Sequence, residues 1–162
     1  MLESLVVTLA LLVGSDPVSL VKALIREEVA LIEGAGLGDP FGKEAVDRLY
    51  TTDLAAAYAA VMDRQARLNE PLLDGDPITG HQEYCPLRGV AIELTARGDE
   101  AAVVTARFMS QWCYPEAGPA VAGEVTEVIF DLVRVGGEWR IDDFANSHYG
   151  SFRALLTQLM GP

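Results

Sequence analysis

Hydrophobic residues recur with helical spacing in the first part of the chain. Across residues 18–32 they return every three or four positions, which gives one apolar stripe and predicts an amphipathic helix. Ser15 or Asp16 can cap this helix, with Pro17 at its first position. Gly34 stands where a left-handed residue would end it.

Two more helices are predicted before a long connection. Residues 43–50 form a short helical pattern, and residues 53–68, capped by Thr52 or Asp53, form an alanine-rich one. Residues 69–86 contain three prolines and two glycines and show no regular period. They are therefore expected to be an irregular connection.

Beyond residue 86 the hydrophobic period changes to two, which indicates half-buried strands. Gly98-Asp99 separates the first pair of strands, and Gly136-Gly137, a favoured hairpin turn, separates the second pair. We expect two antiparallel hairpins. The predicted strands are 90–97, 101–113, 123–135 and 138–145.

A last helix is predicted from a cap at Ser151 to Met160. Helices therefore come first, hairpins follow, and a short helix closes the chain. This order indicates an α+β domain in which helices pack on one face of an antiparallel sheet.

The first fifteen residues carry the apolar run SLVVTLALLV at 4–13. This run is too short to span a bilayer but has the length of the apolar part of a signal peptide. Val13 and Ser15 permit cleavage before Asp16. Against this reading, Glu3 replaces the usual basic start, and a buried first helix or strand is the alternative.

We accordingly predict a leader at residues 1–15 and a single domain at residues 16–162. A cleaved leader implies a periplasmic or secreted protein with no membrane anchor after its removal. If the segment is not a leader, the protein is expected in the cytoplasm.

Composition narrows the function classes. Half of the residues are apolar, which argues against intrinsic disorder, and two cysteines are too few for a disulfide scaffold. The formal net charge of -12 repels phosphate backbones and anionic lipid. We therefore expect neither nucleic acid nor a membrane surface as a partner.

Two stretches carry a resemblance to a known family. DLVRVGGEWRIDDF at 131–144, followed by NSHYGSFRALL, resembles the ending of the bacterial family called domain of unknown function 3828. LNEPLLDGDPITG at 68–80, after the YTTDLAAAY helix, resembles its midsection. The Trp-Arg-Ile-Asp-Asp ending also marks the wider group of nuclear transport factor 2-like domains.

The resemblance implies a cone in which a strongly curved antiparallel sheet wraps against N-terminal helices. It also implies export from a bacterial cell. The activity of the family is undefined, so it assigns no catalytic residues. This chain departs from the family in its leader, which lacks a basic start, and in its long loop at 114–124, which is rich in proline and glycine.

The register of the first hairpin bears on the two cysteines. If the numbers of paired residues add up to 198, Ile92 faces Ala106 and the apolar side chains share one face; a slip by one pairs Ile92 with Thr105 instead. The same register, continued, places Cys85 opposite Cys113 at a distance suited to a disulfide. The alternative is two free buried thiols. The other apolar pairs of this register are Val90 with Phe108, Leu94 with Val104, and Ala96 with Ala102.

Three aspartates are the main candidates for chemistry. A two-residue turn in the second hairpin puts Asp131 opposite Asp142, whereas a one-residue bulge puts it opposite Asp143. Two facing carboxylates inside a pocket can act as an acid/base couple with one raised pKa. Alternatively, the group lies at a sheet margin or is neutralised by Arg134 or Arg140.

Other candidates lie near the strand ends. His81 and Tyr84 enter the sheet region and can assist an acid/base reaction, while His148, Trp112 and Tyr114 are candidates for lining a binding pocket. The simpler reading of the histidines is as solvated loop residues, and that of Trp112 and Tyr114 is as core packing or sheet-edge cover. The spacing of histidines and cysteines predicts no metal site, and no cofactor-binding motif is present.

The leading hypothesis is an exported, non-enzymatic module that binds a small ligand or acts as an accessory protein. One alternative is an acid/base enzyme of isomerase, dehydratase or hydrolase type that uses a carboxylate in the cone. The other is a protein-binding or homodimerising module that uses the open face of the sheet. An enclosed pocket with convergent titratable groups would favour the enzyme, and a filled cone with an exposed apolar patch would favour a protein partner.

Overall fold

A computed structural model describes residues 16–34 and 39–161 of the chain. The leader predicted at residues 1–15 lies outside the described residues. No helix within them is long and apolar enough to cross a membrane. The elements in chain order are α1 (Pro17–Ile32), α2 (Lys43–Leu49), α3 (Thr52–Leu68), β1 (Arg88–Arg97), β2 (Ala101–Met109), a 3-10 turn (Pro115–Ala117), α4 (Pro119–Ala122), β3 (Thr126–Val135), β4 (Glu138–Asn146), β5 (Gly150–Ser151) and α5 (Phe152–Met160).

The first helix confirms the predicted signals at both ends. The carboxylate of Asp16 accepts a hydrogen bond from the Ser19 N–H at 2.9 Å, and Pro17 occupies the first turn. At the other end Gly34 adopts a φ of +66°. The buried stripe of α1 has one polar member, Glu28, whose side chain is as buried as its apolar neighbours.

The third helix begins one residue earlier than predicted. α3 is capped by Thr51, whose Oγ1 accepts from the Leu54 N–H, so Thr52 is already helical. α5 begins as predicted, since the Ser151 hydroxyl accepts from the Ala154 N–H at 3.0 Å.

The strands form an antiparallel sheet in the order β1-β2-β3-β4-β5, so the α+β class is confirmed. Each strand lies beside its neighbour in sequence, and β1 forms one edge. β5, only two residues long, forms the other edge and was not predicted. The loop at 114–124 contains a 3-10 turn and the short helix α4, which were also not predicted.

The helices cover one face of the sheet, and large side chains fill the space between the two layers. Phe144 lies between Phe130 and Phe152, with ring centroids 5.7 Å and 4.6 Å away. Trp139 is fully buried on the same face. Burial of each such side chain contributes about 1.5–3 kcal/mol, so this cluster is the main source of stability.

The first hairpin confirms the predicted register in its centre, where Ile92 pairs with Ala106. The register shifts at both ends: before Ala91, near Gly89, and after Leu94. As a result Ala96 pairs with Val103, so the predicted pairing of Ala96 with Ala102 is wrong.

The predicted disulfide is present. Cys85 and Cys113 have Cα atoms 5.9 Å apart and an S–S bond of 2.01 Å. β2 ends at Met109, earlier than predicted, so the two cysteines lie beyond the regular ladder. A backbone hydrogen bond from the Cys85 N–H to the Ser110 carbonyl, at 2.7 Å, still holds the two segments together.

Candidate functional site

The three predicted aspartates do come together, through a bulge in β4. Asp131 pairs with Asp143, while Leu132 pairs with Ile141, so Asp142 is the extra residue. Of the two predicted alternatives, the one-residue bulge is therefore the observed one.

Two of these carboxylates are occupied by structural hydrogen bonds. Asp142 accepts from the Arg153 guanidinium at 2.7 Å and from the Thr51 hydroxyl at 3.0 Å. Asp143 accepts from the Ser151 hydroxyl at 2.5 Å and from the Arg153 N–H at 2.9 Å. The pair thus anchors the start of α5 to the sheet and to α3.

The arginine that neutralises this group is Arg153, and not Arg134 or Arg140 as predicted. Arg140 pairs with Glu138 at 2.7 Å, and the guanidinium of Arg134 lies over the ring of Trp139. Asp131 has no such partner among the described residues. Burial, and then the charges of Asp143 and Asp142, raise the pKa of Asp131.

The two histidines meet although they come from different loops. The ring centroids of His81 and His148 are 4.3 Å apart, and Nε2 of His148 lies 4.0 Å from a carboxylate oxygen of Glu124. Burial and then the charge of His148 lower the pKa of His81, while Glu124 raises it. Within 16–34 and 39–161, no three side chains of metal-ligating type are close enough to hold a metal ion.

The histidine pair requires a glycine beside it. A Cβ at Gly80 would lie 2.5 Å from Cδ2 of His148, and Gly80 has a φ of +75°. In the described residues, no hydrogen bond or ion pair joins the histidines to the three aspartates. The acid/base arrangement that combined an aspartate with His81 therefore has no direct contact to support it.

Trp112 and Tyr114 lie at the end of the first hairpin that carries the disulfide. The indole of Trp112 donates to the Pro86 carbonyl at 2.7 Å, and the guanidinium of Arg88 lies 3.1 Å from its ring centroid. Trp112 thus covers the start of the edge strand. Tyr114 is partly exposed and precedes the 3-10 turn.

The sequence did not predict an interior group that we call the acid–tyrosine cluster, although Tyr84 belongs to it. Asp76 belongs to this group: burial raises the pKa of each of the other members, and the charge of Asp76 adds to that rise. The carboxylate of Asp76 accepts from the N–H groups of Ile78 and Thr79. The other members are Glu28, Tyr50, Tyr58, Tyr84 and Tyr149.

Glu28 is the most unusual member of this cluster. Its side chain has no exposed surface, and neither carboxylate oxygen has a hydrogen-bond partner in the described part of the chain. Burial, followed by the charges of Asp76 and Asp39, raises the pKa of Glu28 to about 8. Glu28 lies three and four residues after Ile25 and Leu24 in the apolar stripe, which was the signal available in the sequence.

The cluster also contains an unpartnered phenol. The hydroxyl of Tyr50 is buried without a hydrogen-bond partner in the described residues. Its ring packs on Phe41 at 5.7 Å, and Phe41 in turn packs on Tyr58 at 5.1 Å. On the far side, the Tyr149 hydroxyl donates to the carbonyl of Pro77, next to Asp76. Five segments of the chain therefore converge on this cluster.

A groove on the surface lies between α1 and the edge strand β1, and we call it the edge groove. It has a volume of about 510 Å³. Its floor is apolar, while its rim includes two cations. The lining residues are Lys22, Ile25, Arg26, Val29, Val90 and Ile92.

Exposed apolar side chains also occur along β1, where Val90 in the groove is 42% exposed and Leu94 beyond it is 41% exposed. Neither Lys22 nor Arg26 forms an ion pair with any described residue, whereas half of the twelve basic residues do. The groove therefore combines an apolar floor with a locally positive rim on an acidic protein.

Comparison with known proteins gives a structural similarity but no match in sequence. No protein-family model matches the chain, and no curated protein matches it in sequence. Among solved structures, the chain is similar to a chain in the crystal structure of the type VI native effector-immunity complex Tae3-Tai3 from Ralstonia pickettii. The two are 20% identical, the match covers 82% of this chain and 96% of that one, and the TM-score is 0.52. At this identity the similarity shows a shared fold.

Proposed function

We propose that this chain is an exported protein-binding module, and that its partner contributes an extended segment which adds to β1 and lies in the edge groove. The observation that carries the proposal is the long edge strand, most of whose residues are exposed, beside an apolar groove. The interior is filled and an apolar patch is exposed, which is the combination expected for a protein-binding module and not for an enzyme.

The edge strand supplies the backbone part of the interface. β1 is ten residues long and has no partner on its outer side among the described residues. A row of free N–H and C=O groups is a template for another strand. The bulges near Gly89 and after Leu94 restrict regular pairing to the residues between them. The bound segment is thus expected to be short.

The groove supplies specificity. Val90, Ile92 and Leu94 alternate on the side facing α1, so a bound strand would place every second side chain over the apolar floor. Lys22 and Arg26 line the same groove and lack ion pairs in the described structure. At physiological salt, charges more than about 8 Å from the groove are largely screened. Lys22 and Arg26 therefore dominate the electrostatic potential inside the groove. The partner segment is therefore apolar at alternate positions and acidic at its ends.

The structural similarity supports a protein-binding function, since the similar chain comes from an effector-immunity complex. Export is supported by the disulfide between Cys85 and Cys113, because such bonds persist in oxidising compartments. We also propose the nuclear transport factor 2-like cone and membership of the domain of unknown function 3828 family on the strength of the sequence resemblance.

A peptide-binding experiment tests the proposal. The probe is a seven-residue peptide of alternating valine and threonine with a glutamate at each end, and binding is followed by fluorescence anisotropy. We expect it to bind more tightly than the same peptide with lysine ends. Methylation of alternate backbone nitrogens on the pairing edge should abolish binding, because it removes the ladder hydrogen bonds.

Variants of the protein locate the site. Leu94→Asp should abolish peptide binding, while Val135→Asp, at an apolar position 53% exposed on β3, should leave it unchanged. Equal binding of the acidic and lysine peptides, or equal loss in both variants, would overturn the proposal. Sedimentation that shows a dimer lost in Leu94→Asp would instead assign the edge to a second copy.

A further inference from the structure

We propose that the segment bound in the edge groove is the carboxyl-terminal end of the partner chain, and that Lys22 and Arg26 bind its terminal carboxylate. This inference rests on the proposed function, because it names the kind of segment that adds to β1. It assigns a ligand to two cations that line the groove and form no ion pair with any described residue.

The first argument is the position of the Arg26 guanidinium. Its Nε donates a hydrogen bond to the carbonyl of Lys22 at 3.2 Å, so the side chain folds back over the preceding turn of α1. Its two terminal nitrogens form no hydrogen bond with any described residue. Together they present the parallel N–H groups that match the two oxygens of a carboxylate. Arg26 is therefore held in place with its carboxylate-binding end open to a ligand.

The second argument is a pair of like charges on an acidic protein. Lys22 and Arg26 are four residues apart, so they lie one turn apart on the same side of α1. Like charges at this spacing repel each other and destabilise a helix slightly. The chain has 24 acidic and 12 basic residues, yet no described acid pairs with either cation. A carboxylate that contacts both side chains relieves this repulsion.

The third argument is the short stretch of edge strand with regular pairing. β1 pairs with β2 without a shift from Ala91 to Leu94, and the register shifts on either side of this stretch. An internal segment of this length has to turn away from the edge at both ends, whereas a chain terminus leaves the edge at one end only. A terminal carboxylate is also positioned by the backbone of the strand, while an acidic side chain loses rotamer freedom when it binds. A chain terminus is therefore the better fit.

The direction of α1 sets the direction of the bound segment. A carboxylate oxygen of Asp16, the cap of α1, lies 3.9 Å from a guanidinium nitrogen of Arg97, the last residue of β1. The middle of α1 lines the groove together with Val90 and Ile92, so the helix and the strand run in opposite directions. Because Arg26 folds back towards the start of α1, its guanidinium faces the end of β1. A segment with its carboxyl end there runs parallel to β1.

Three peptides, each with a fluorophore at its amino end, test the role of the carboxylate. The first has six residues of alternating valine and threonine and ends in a free carboxylate, and the second is its carboxyl-terminal amide. The third has a glutamate at the position where the first one ends and continues with three serines and an amide. Fluorescence anisotropy should show that the first peptide binds at least about tenfold more tightly than the others, because it alone places a carboxylate at the end of the strand.

Variants of the protein separate carboxylate binding from overall charge. Lys22→Gln and Arg26→Gln should each reduce the preference for the free carboxylate over the amide at least about threefold. Arg26→Lys keeps the charge but has no parallel N–H groups, so it should also reduce the preference. Arg67→Gln makes the same change in net charge as Arg26→Gln, at an exposed position of α3 outside the groove, and should keep the full preference.

The direction is tested by NMR with a nitroxide in place of the fluorophore. In a parallel arrangement the amino end of the peptide lies near the start of β1. The nitroxide should therefore broaden the amide signal of Gly89, near the start of β1, more than that of Gly98, which follows its end. Stronger broadening at Gly98 would overturn the parallel arrangement.

The two proposals fail in different ways. Equal binding of the three peptides, all lost in Leu94→Asp, would overturn the carboxylate inference and leave the peptide-binding proposal intact. Binding of none of the peptides would overturn both proposals. A full preference for the free carboxylate in both Lys22→Gln and Arg26→Gln would overturn the assignment of the carboxylate to these residues.

Discussion

Replacement of Glu28 by glutamine should change how the stability of this protein depends on pH. In the folded protein, burial and the charges of Asp76 and Asp39 raise the pKa of Glu28 from its ordinary value of 4.5 to about 8. In the unfolded chain the side chain is solvated and has an ordinary pKa. Between these two values the folded state holds a proton that the unfolded state has lost.

The sign follows from proton linkage. Because the folded state binds more protons in this window, the free energy of unfolding falls as pH rises from about 4.5 towards about 8. Each pH unit well inside the window costs about 1.4 kcal/mol, and the slope is shallower at its ends, so the loss between pH 5 and pH 8 is about 3–4 kcal/mol. Glutamine does not titrate, so the variant lacks this slope and is more stable than the natural protein near neutral pH.

Urea denaturation from pH 5 to pH 9 measures the effect, with the free energy of unfolding compared between the natural protein and the variant at each pH. The difference between them isolates Glu28 from the repulsion of the net charge of -12. Glu70→Gln, at an exposed position, makes the same change in net charge and should show no such difference. Parallel curves for the natural protein and Glu28→Gln would refute the reasoning.

Two further predictions concern covalent and steric constraints. Reduction of the disulfide, or its replacement in Cys85→Ala/Cys113→Ala, should lower the free energy of unfolding by about 3–4 kcal/mol, because the bond closes a loop across 28 positions; unchanged urea midpoints would contradict this. Gly80→Ala should destabilise more than Gly150→Ala, since both glycines have a positive φ but only Gly80 is crowded, by His148. Thermal unfolding of both variants, and recovery in Gly80→Ala/His148→Ala, would check the stated cause.

Most of the architecture was predictable because it depends on local signals. Asp16, Pro17 and Gly34 carry the caps of α1 in the sequence itself, and strict alternation determines which residues of β1 and β2 face inward. The disulfide followed from the same alternation. The predicted register was wrong at the ends of the first hairpin. A bulge near Gly89 and another after Leu94 interrupt a pairing that the alternation alone would continue.

The candidate sites were less predictable because they depend on tertiary contacts. Asp142 and Asp143 were found as a group, but their partner Arg153 comes from α5 and could not be read from the hairpin. His81 and His148 are distant in sequence, and only the fold brings their rings together. Glu28 had a visible signal, a polar residue at a position of the apolar stripe, but that signal alone does not distinguish a buried acid from one at the margin.

The position of Glu28 also bears on why α1 has the sequence it has. Its buried stripe packs on the sheet, while Lys22 and Arg26, on another side of the helix, line the edge groove. For folding alone, an apolar residue of similar volume at position 28 would be the more stable choice, because an unpaired buried carboxyl loses stability across the neutral pH range. Departures of this kind are concentrated at functional or strained sites. The same helix therefore carries two separate departures from an ordinary amphipathic pattern: a buried acid where an apolar side chain would be more stable, and, beside the edge groove, two cations without ion pairs in the described part of the chain.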